Sequence, residues 1–187
     1  MPVGDAGRTR GIYVAASFAL AAVVFVGSHL LEIPGSLAEL LKATKGVPIF
    51  DLSPVFSIDE TYTRIEAYGD EGRRLYRRFT VTTDILFPIV LFAFLILLAR
   101  FTVERMSLPA ALRWVVLAAP LGYLIPDLLE NLTIFVLLSD FPQRHDVLAG
   151  ALPYFTLAKR LSLYGSILLP LGLLALKYLF GWRSRPE

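Results

Sequence analysis

The 187-residue sequence contains no cysteine, which excludes a disulfide scaffold and covalent thiol catalysis. It also has no H-E-x-x-H or G-x-S-x-G pattern and no serine and histidine at a catalytic spacing, which argues against serine nucleophiles and zincin chemistry. The formal net charge is only +2 and its basic residues are scattered, so nucleic acid is not expected as a partner. Charge of either sign is scarce: 18% of residues are charged against 56% hydrophobic, and the mean hydropathy is +0.62. The windows 12–31, 81–101, 114–138 and 152–180 together hold seven of the 34 Asp, Glu, Lys and Arg in 95 residues. That segregation excludes a soluble enzyme and a disordered tail, and it indicates an integral membrane protein.

At 1.5 Å per residue, each window is long enough to cross a hydrocarbon core of roughly 30 Å as a helix. The expected fold is therefore an all-α four-helix membrane bundle, a single transmembrane domain over 1–187. The first span follows Arg8 and Arg10, but its apolar run exceeds a signal-peptide core and no small-x-small cleavage site follows, so it reads as an uncleaved anchor. With four spans the termini share a side. That side carries Arg8, Arg10, Arg100, Arg105, Arg113, Lys177, Arg183 and Arg185, which predicts cytoplasmic termini in a bacterial inner membrane, with Trp114 and Trp182 at the interface. Against this, the opposite segment 32–80 holds seven basic residues, four of them in RRLYRR, alongside eight acids.

Segment 32–80 is too long for a turn and predicts short helices. Ser36 can cap LAELLKATK, which Gly46 would stop, and Ser57 and Glu60 have capping-box spacing ahead of an apolar face of Tyr62, Ile65 and Tyr68. Asp70 is expected to cap a further helix that runs into the second span. The segment reads as a solvated lid on the bundle, because amphipathic faces usually just pack.

Ionisable residues within spans cost roughly 2.5–3.5 kcal/mol each on insertion scales and normally face the bundle interior. Counted from the outer ends of their spans, Asp84, Asp127, Glu130, Asn131 and Lys159 all fall about 5–17 Å deep, with His29 shallower. Asp127, Glu130 and Asn131 are i, i+3 and i+4, so they share one face, with Tyr123 on the same stripe. Lys159 and Arg160 supply positive charge and Thr156 a hydroxyl. Pro88, Pro126 and Pro170 free the carbonyls of Asp84, Gly122 and Ser166. Asp84, Asp127, Glu130 and Lys159 are thus candidate catalytic residues, and His29, Tyr123, Asn131, Thr156 and Arg160 candidate ligand contacts. The competing reading is an interhelical ion pair that only fixes register. Three carboxylates are more than register requires, which favours a working site. His145 reads as a surface residue, and Arg100 and Lys177 as anchors that snorkel at the cytoplasmic ends.

The phrases YTRIEAYGDEGRRLYRRF, TDILFP, PDLLEN and FTLAKRL, in this order, resemble a widespread family of uncharacterised bacterial four-helix integral membrane proteins with the pattern GxxGR-Y, DxxFP, DxxEN and TxxK. The resemblance covers about residues 60–165 and marks Gly69, Gly72, Arg73, Tyr76, Asp84, Phe87, Pro88, Asp127, Glu130, Asn131, Thr156 and Lys159. Leu91 stands where that pattern has a tyrosine. The resemblance implies the fold and the site but no substrate.

Three functions compete on these residues. The first is binding of, or acid–base catalysis on, a lipid or isoprenoid, with one carboxylate as base and Lys159 facing developing negative charge. The second is a small transporter coupled to an ion or proton, in which a homodimer could form through Gly165, Gly172 and Ala175. The third is a structural role in a membrane assembly. No cofactor is implied. The carboxylates offer hard ligands for a divalent cation, but Lys159 would compete with it.

Overall fold

The computed structural model describes residues 3–181; Trp182, Arg183 and Arg185, expected at the cytoplasmic face, lie outside the described residues, as does the side chain of Arg8. The described chain is all-α. Helix α1 (Val3–Phe25) continues into a π-helical turn, Val26–Leu30; α2 (Leu37–Ala43), α3 (Ile58–Ala67) and α4 (Gly69–Val81) follow; α5 (Thr83–Arg105), α6 (Ala110–Asp140) and α7 (Asp146–Phe180) complete the fold. Four helical stretches are long and apolar enough to cross a membrane: Thr9–Leu30, Gly69–Arg105, Ala110–Asp140 and Asp146–Leu179. Their outward residues, such as Phe18, Val23, Ile125, Leu132, Leu161 and Leu168, are exposed, as a lipid-facing surface requires of a multi-pass protein. Trp114 is also exposed, at the start of α6.

Helices α5, α6 and α7 form the packed centre, with the most extensive contact between α6 and α7, while α1 lies along α5. Two apolar clusters bracket a polar layer. At one end Ala99, Val103, Met106, Val116 and Leu173 are buried together. At the other, Ile134, Leu137, Leu138 and Leu152 pack against Leu40, Ile49, Phe50, Ile65, Tyr68 and Tyr76. The segment between the first two spans is therefore more than a solvated cover: it shares a core with α6 and α7.

Its local structure follows the predicted caps. The Ser36 hydroxyl accepts from the Glu39 N–H at 3.2 Å, and Ser57 accepts from the Glu60 N–H at 3.3 Å. The expected cap at Asp70 is not formed: Tyr68 is the N-cap, in helical conformation and without a side-chain bond, and Asp70 pairs with Arg73 in the first turn. As expected, α4 runs on into α5 within one stretch, Gly69–Arg105, with a local departure from helical geometry at Thr82, φ −121°, ψ −86°. The Thr83 hydroxyl beside it donates to the Gly35 carbonyl at 2.6 Å, tying this joint to the start of α2.

Irregular residues 47–56 are held by side chains in place of backbone ladders. The Tyr68 hydroxyl donates to the Pro48 carbonyl at 2.9 Å, and the Arg64 guanidinium donates to the Ser53 carbonyl at 2.6 Å. A second tie reaches the α6–α7 turn. There Arg144 bridges Asp59 at 2.7 Å and Asp146 at 3.1 Å, and the backbone N–H of His145 meets the Tyr62 hydroxyl. His145, read from sequence as a plain surface residue, also pairs with Asp140 at 2.7 Å. Lys177 donates to the Arg105 carbonyl at 2.8 Å, so it closes the end of α5 as well as anchoring α7.

Both glycines of the GxxG pattern have physical reasons. Gly69 sits at φ +66°, where a side chain would be strained, and lets α3 turn into α4. A Cβ on Gly72 would lie 3.1 Å from the Tyr68 Cβ and 3.3 Å from the Ala43 carbonyl oxygen, so Gly72 sets the approach of α4 to α2. Gly72→Ala is expected to cost about 1–3 kcal/mol through overpacking. Thermal unfolding in detergent should show a lowered Tm, whereas Gly165→Ala, with nothing within 4 Å, should leave Tm unchanged or raised.

Candidate functional site

The polar layer is built around Lys159 on α7. Its ammonium lies 2.6 Å from Asp51 Oδ1 and 3.3 Å from Asp127 Oδ1, and it pairs with the Glu130 carboxylate. The i, i+3 spacing of Asp127 and Glu130 presents both acids to α7 as predicted. Thr156, one turn before Arg160, donates to Glu130 Oε1 at 2.5 Å and is fully buried. The side chains of Lys159 and Asp51 are each 13% exposed and that of Glu130 is 0% exposed, so these charges are withdrawn from water and compensate one another.

Asp51 is the member that sequence reasoning missed. It comes from the irregular lid segment, not from a span, and so had no assignable depth. Tyr76 of α4 fixes it: the phenol donates to Asp51 Oδ2 and accepts the Phe50 N–H, both at 3.1 Å. Arg160 was expected to face the carboxylates, but it donates instead to the backbone carbonyl of Asp51. Burial by itself would raise the Asp51 pKa, but the Lys159 ammonium and the hydrogen bonds from Lys159 and Tyr76 outweigh it and hold the carboxyl below its ordinary 3.8. The lone acid in VPIFDLSP, between two prolines, was the available signal.

Asp84 enters the layer differently. Pro88 denies its carbonyl a helical donor, and the Asn131 amide fills that vacancy at 2.7 Å while also donating to Asp127 Oδ2 at 3.3 Å. The freed acceptor predicted from the proline thus binds α5 to α6. The Asp84 carboxyl does not reach Lys159. Its residue is 7% exposed, and Oδ2 has no hydrogen-bond partner, as is true of Asn131 Oδ1.

A cavity of about 150 Å³ opens beside these groups, with Asp51, Asp84, Asp127, Lys159 and Arg160 on its polar side. Tyr123 and His29 also line it, as predicted, whereas Glu130, Asn131 and Thr156 stand behind the wall. The π-helical turn carries His29 to this position, where its ring stacks on Phe25 at 4.8 Å and meets Phe87 edge-on at 4.9 Å. At Gly122, whose carbonyl Pro126 frees, the missing side chain allows Ser162 of α7 to approach; a Cβ there would lie 3.1 Å from its Oγ.

Among the described residues no group of three His, Cys, Asp or Glu side chains is arranged to hold a metal ion. The Lys159 ammonium lies where the carboxylates converge. The chain matches no family model, no curated protein and no solved structure.

The site therefore has a closed half, in which Lys159 pairs with Asp51, Asp127 and Glu130, and an open half at Asp84. Lys159→Met should strand buried carboxylates and cost about 3–5 kcal/mol. Asp84→Leu removes an acid without a partner and should leave Tm in detergent unchanged or raised, which thermal unfolding of the two variants side by side will check. Because the Asp51 pKa is depressed in the fold, its contribution is complete above its ordinary 3.8 and is lost as pH falls through the lower folded value. The Tm difference between wild type and Asp51→Asn should accordingly stay constant through neutral and mildly acidic pH and shrink only below about pH 4.

Proposed function

We propose that this membrane protein binds the polar end of a lipid or isoprenoid in the cavity at Asp84, while the Lys159 cluster holds the helices in register. The carrying observation is Asp84, a residue on the wall of a cavity whose carboxyl has a buried oxygen, Oδ2, without a hydrogen-bond partner. Such groups are rare in folded proteins, because an unmade buried hydrogen bond costs about 1–3 kcal/mol, and a ligand that donates to it removes that cost. The remainder of the wall includes Leu37, Ile49, Phe79, Phe87 and Leu163, a surface suited to the first carbons of a chain. A volume of about 150 Å³ takes a headgroup, leaving acyl or isoprenoid carbons against the apolar outer faces.

The register reading accounts for the closed half, since Lys159 already faces three carboxylates and has no charge to spare for a developing anion. Where a reaction follows binding, Asp84 is the group in position to take a proton. We place the lid outside a bacterial inner membrane and the termini in the cytoplasm, supported by Arg100, Arg105, Arg113 and Lys177 at the end away from the lid. The family resemblance belongs to the same proposal, and the open space beside Gly165 and Gly172 leaves room for a second copy.

Untargeted lipid analysis of wild type and Asp84→Leu, purified in the same mild detergent, tests the binding reading. One lipid class should be enriched in the wild type and reduced about tenfold in the variant, the effect of one lost charge-assisted hydrogen bond. Identical lipid profiles would reject it.

A further inference from the structure

Resting on that reading, we infer that the group held at Asp84 is a primary ammonium. The unanswered atoms at this site are all acceptors. Asp84, on the cavity wall, has Oδ2 buried without a partner; Asn131 Oδ1, behind the wall, is likewise unpartnered, and the one unpartnered hydroxyl among the described residues, on Ser139, lies farther along α6 and not on the wall. His29 adds a third acceptor. The Ser28 hydroxyl donates to the Val24 carbonyl at 2.6 Å, so the contact between Ser28 Oγ and His29 Nδ1 at 2.6 Å assigns the ring proton to Nδ1 and leaves Nε2 with a lone pair.

Charge selects among donors. The layer holds four carboxyl groups, on Asp51, Asp84, Asp127 and Glu130, against the two cations Lys159 and Arg160. A phosphate or carboxylate placed here would bring only acceptors to a layer in which carboxyl groups outnumber cations. A quaternary ammonium would bring positive charge but no N–H. A hydroxyl would bring a single donor and no charge. A primary ammonium supplies three donors and one positive charge, and the rings of Phe87 and His29 on the same wall suit a cation. Arg160 gives the Asp51 carbonyl only part of its five-donor guanidinium, which leaves N–H groups on the cavity wall for the phosphate of an aminophospholipid. The ammonium could equally belong to a soluble amine.

Native mass spectrometry of the full chain, extracted from nanodiscs of equal parts phosphatidylethanolamine, phosphatidylcholine and phosphatidylglycerol, tests the inference. Retained phosphatidylethanolamine should exceed each of the other two about tenfold, and Asp84→Leu should abolish the preference. Asp84→Asn carries the same comparison if the leucine variant does not fold. A parallel thermal scan with ethanolamine alone separates the sources. Asp84-dependent stabilisation by ethanolamine assigns the site to a free amine, and stabilisation by the phospholipid only assigns it to a headgroup; either result supports an ammonium. Equal retention of the three lipids without stabilisation by ethanolamine, or preference for phosphatidylglycerol, overturns it. If retention of another lipid still depends on Asp84, lipid binding stands without the ammonium; if no retention depends on Asp84, both fail.

Discussion

A single ammonium in a region of low dielectric governs this structure. Lys159 cannot remain charged inside an apolar bundle unless acids surround it, and those acids come from the lid, through Asp51, and from α6, through Asp127 and Glu130. Each contributor must therefore be placed correctly for the others to be tolerable. The lid segment is fixed by Tyr68, Tyr76 and Arg64, and α6 by its contact with α7 along Thr156 and Glu130. Apolar packing above and below provides the dry setting that makes the pairing both necessary and strong.

Against that closed arrangement, the open carboxyl of Asp84 is an exception within the same layer. Its backbone carbonyl is engaged, freed by the proline and occupied by the asparagine. Its side chain is left toward a cavity whose histidine is delivered by a π-helical turn, a local irregularity of the kind that recurs at functional sites. Rigid backbone with an unfilled side chain is the combination expected of a preorganised binding position.

Much of this was legible in the sequence. Span number followed from charge segregation, and the meeting of Asp84, Asp127, Glu130, Asn131 and Lys159 followed from counting residues along helices of known rise. The caps at Ser36 and Ser57 and the vacancy left by Pro88 followed from local stereochemistry. The rest depended on tertiary geometry. Asp51 lies in a stretch without regular structure, where no periodicity fixes direction, and it joins a partner 108 residues away. Arg160 turned to the Asp51 backbone carbonyl, while its neighbour Lys159 took the carboxylates of Asp51, Asp127 and Glu130. Asp70 lost its cap to a glycine whose positive φ started the helix two residues earlier.

The order of these residues along the chain has a consequence for biogenesis. Asp51, Asp84, Asp127 and Glu130 all leave the ribosome before Lys159 does. Until α7 has entered the bilayer, Asp127 and Glu130 of α6 have no lysine to answer them, and the lid has no anchor for Asp51. The final helix thus completes the electrostatics of its predecessors, and a nascent chain stalled before it exposes uncompensated acids to the machinery that recognises unfinished membrane proteins.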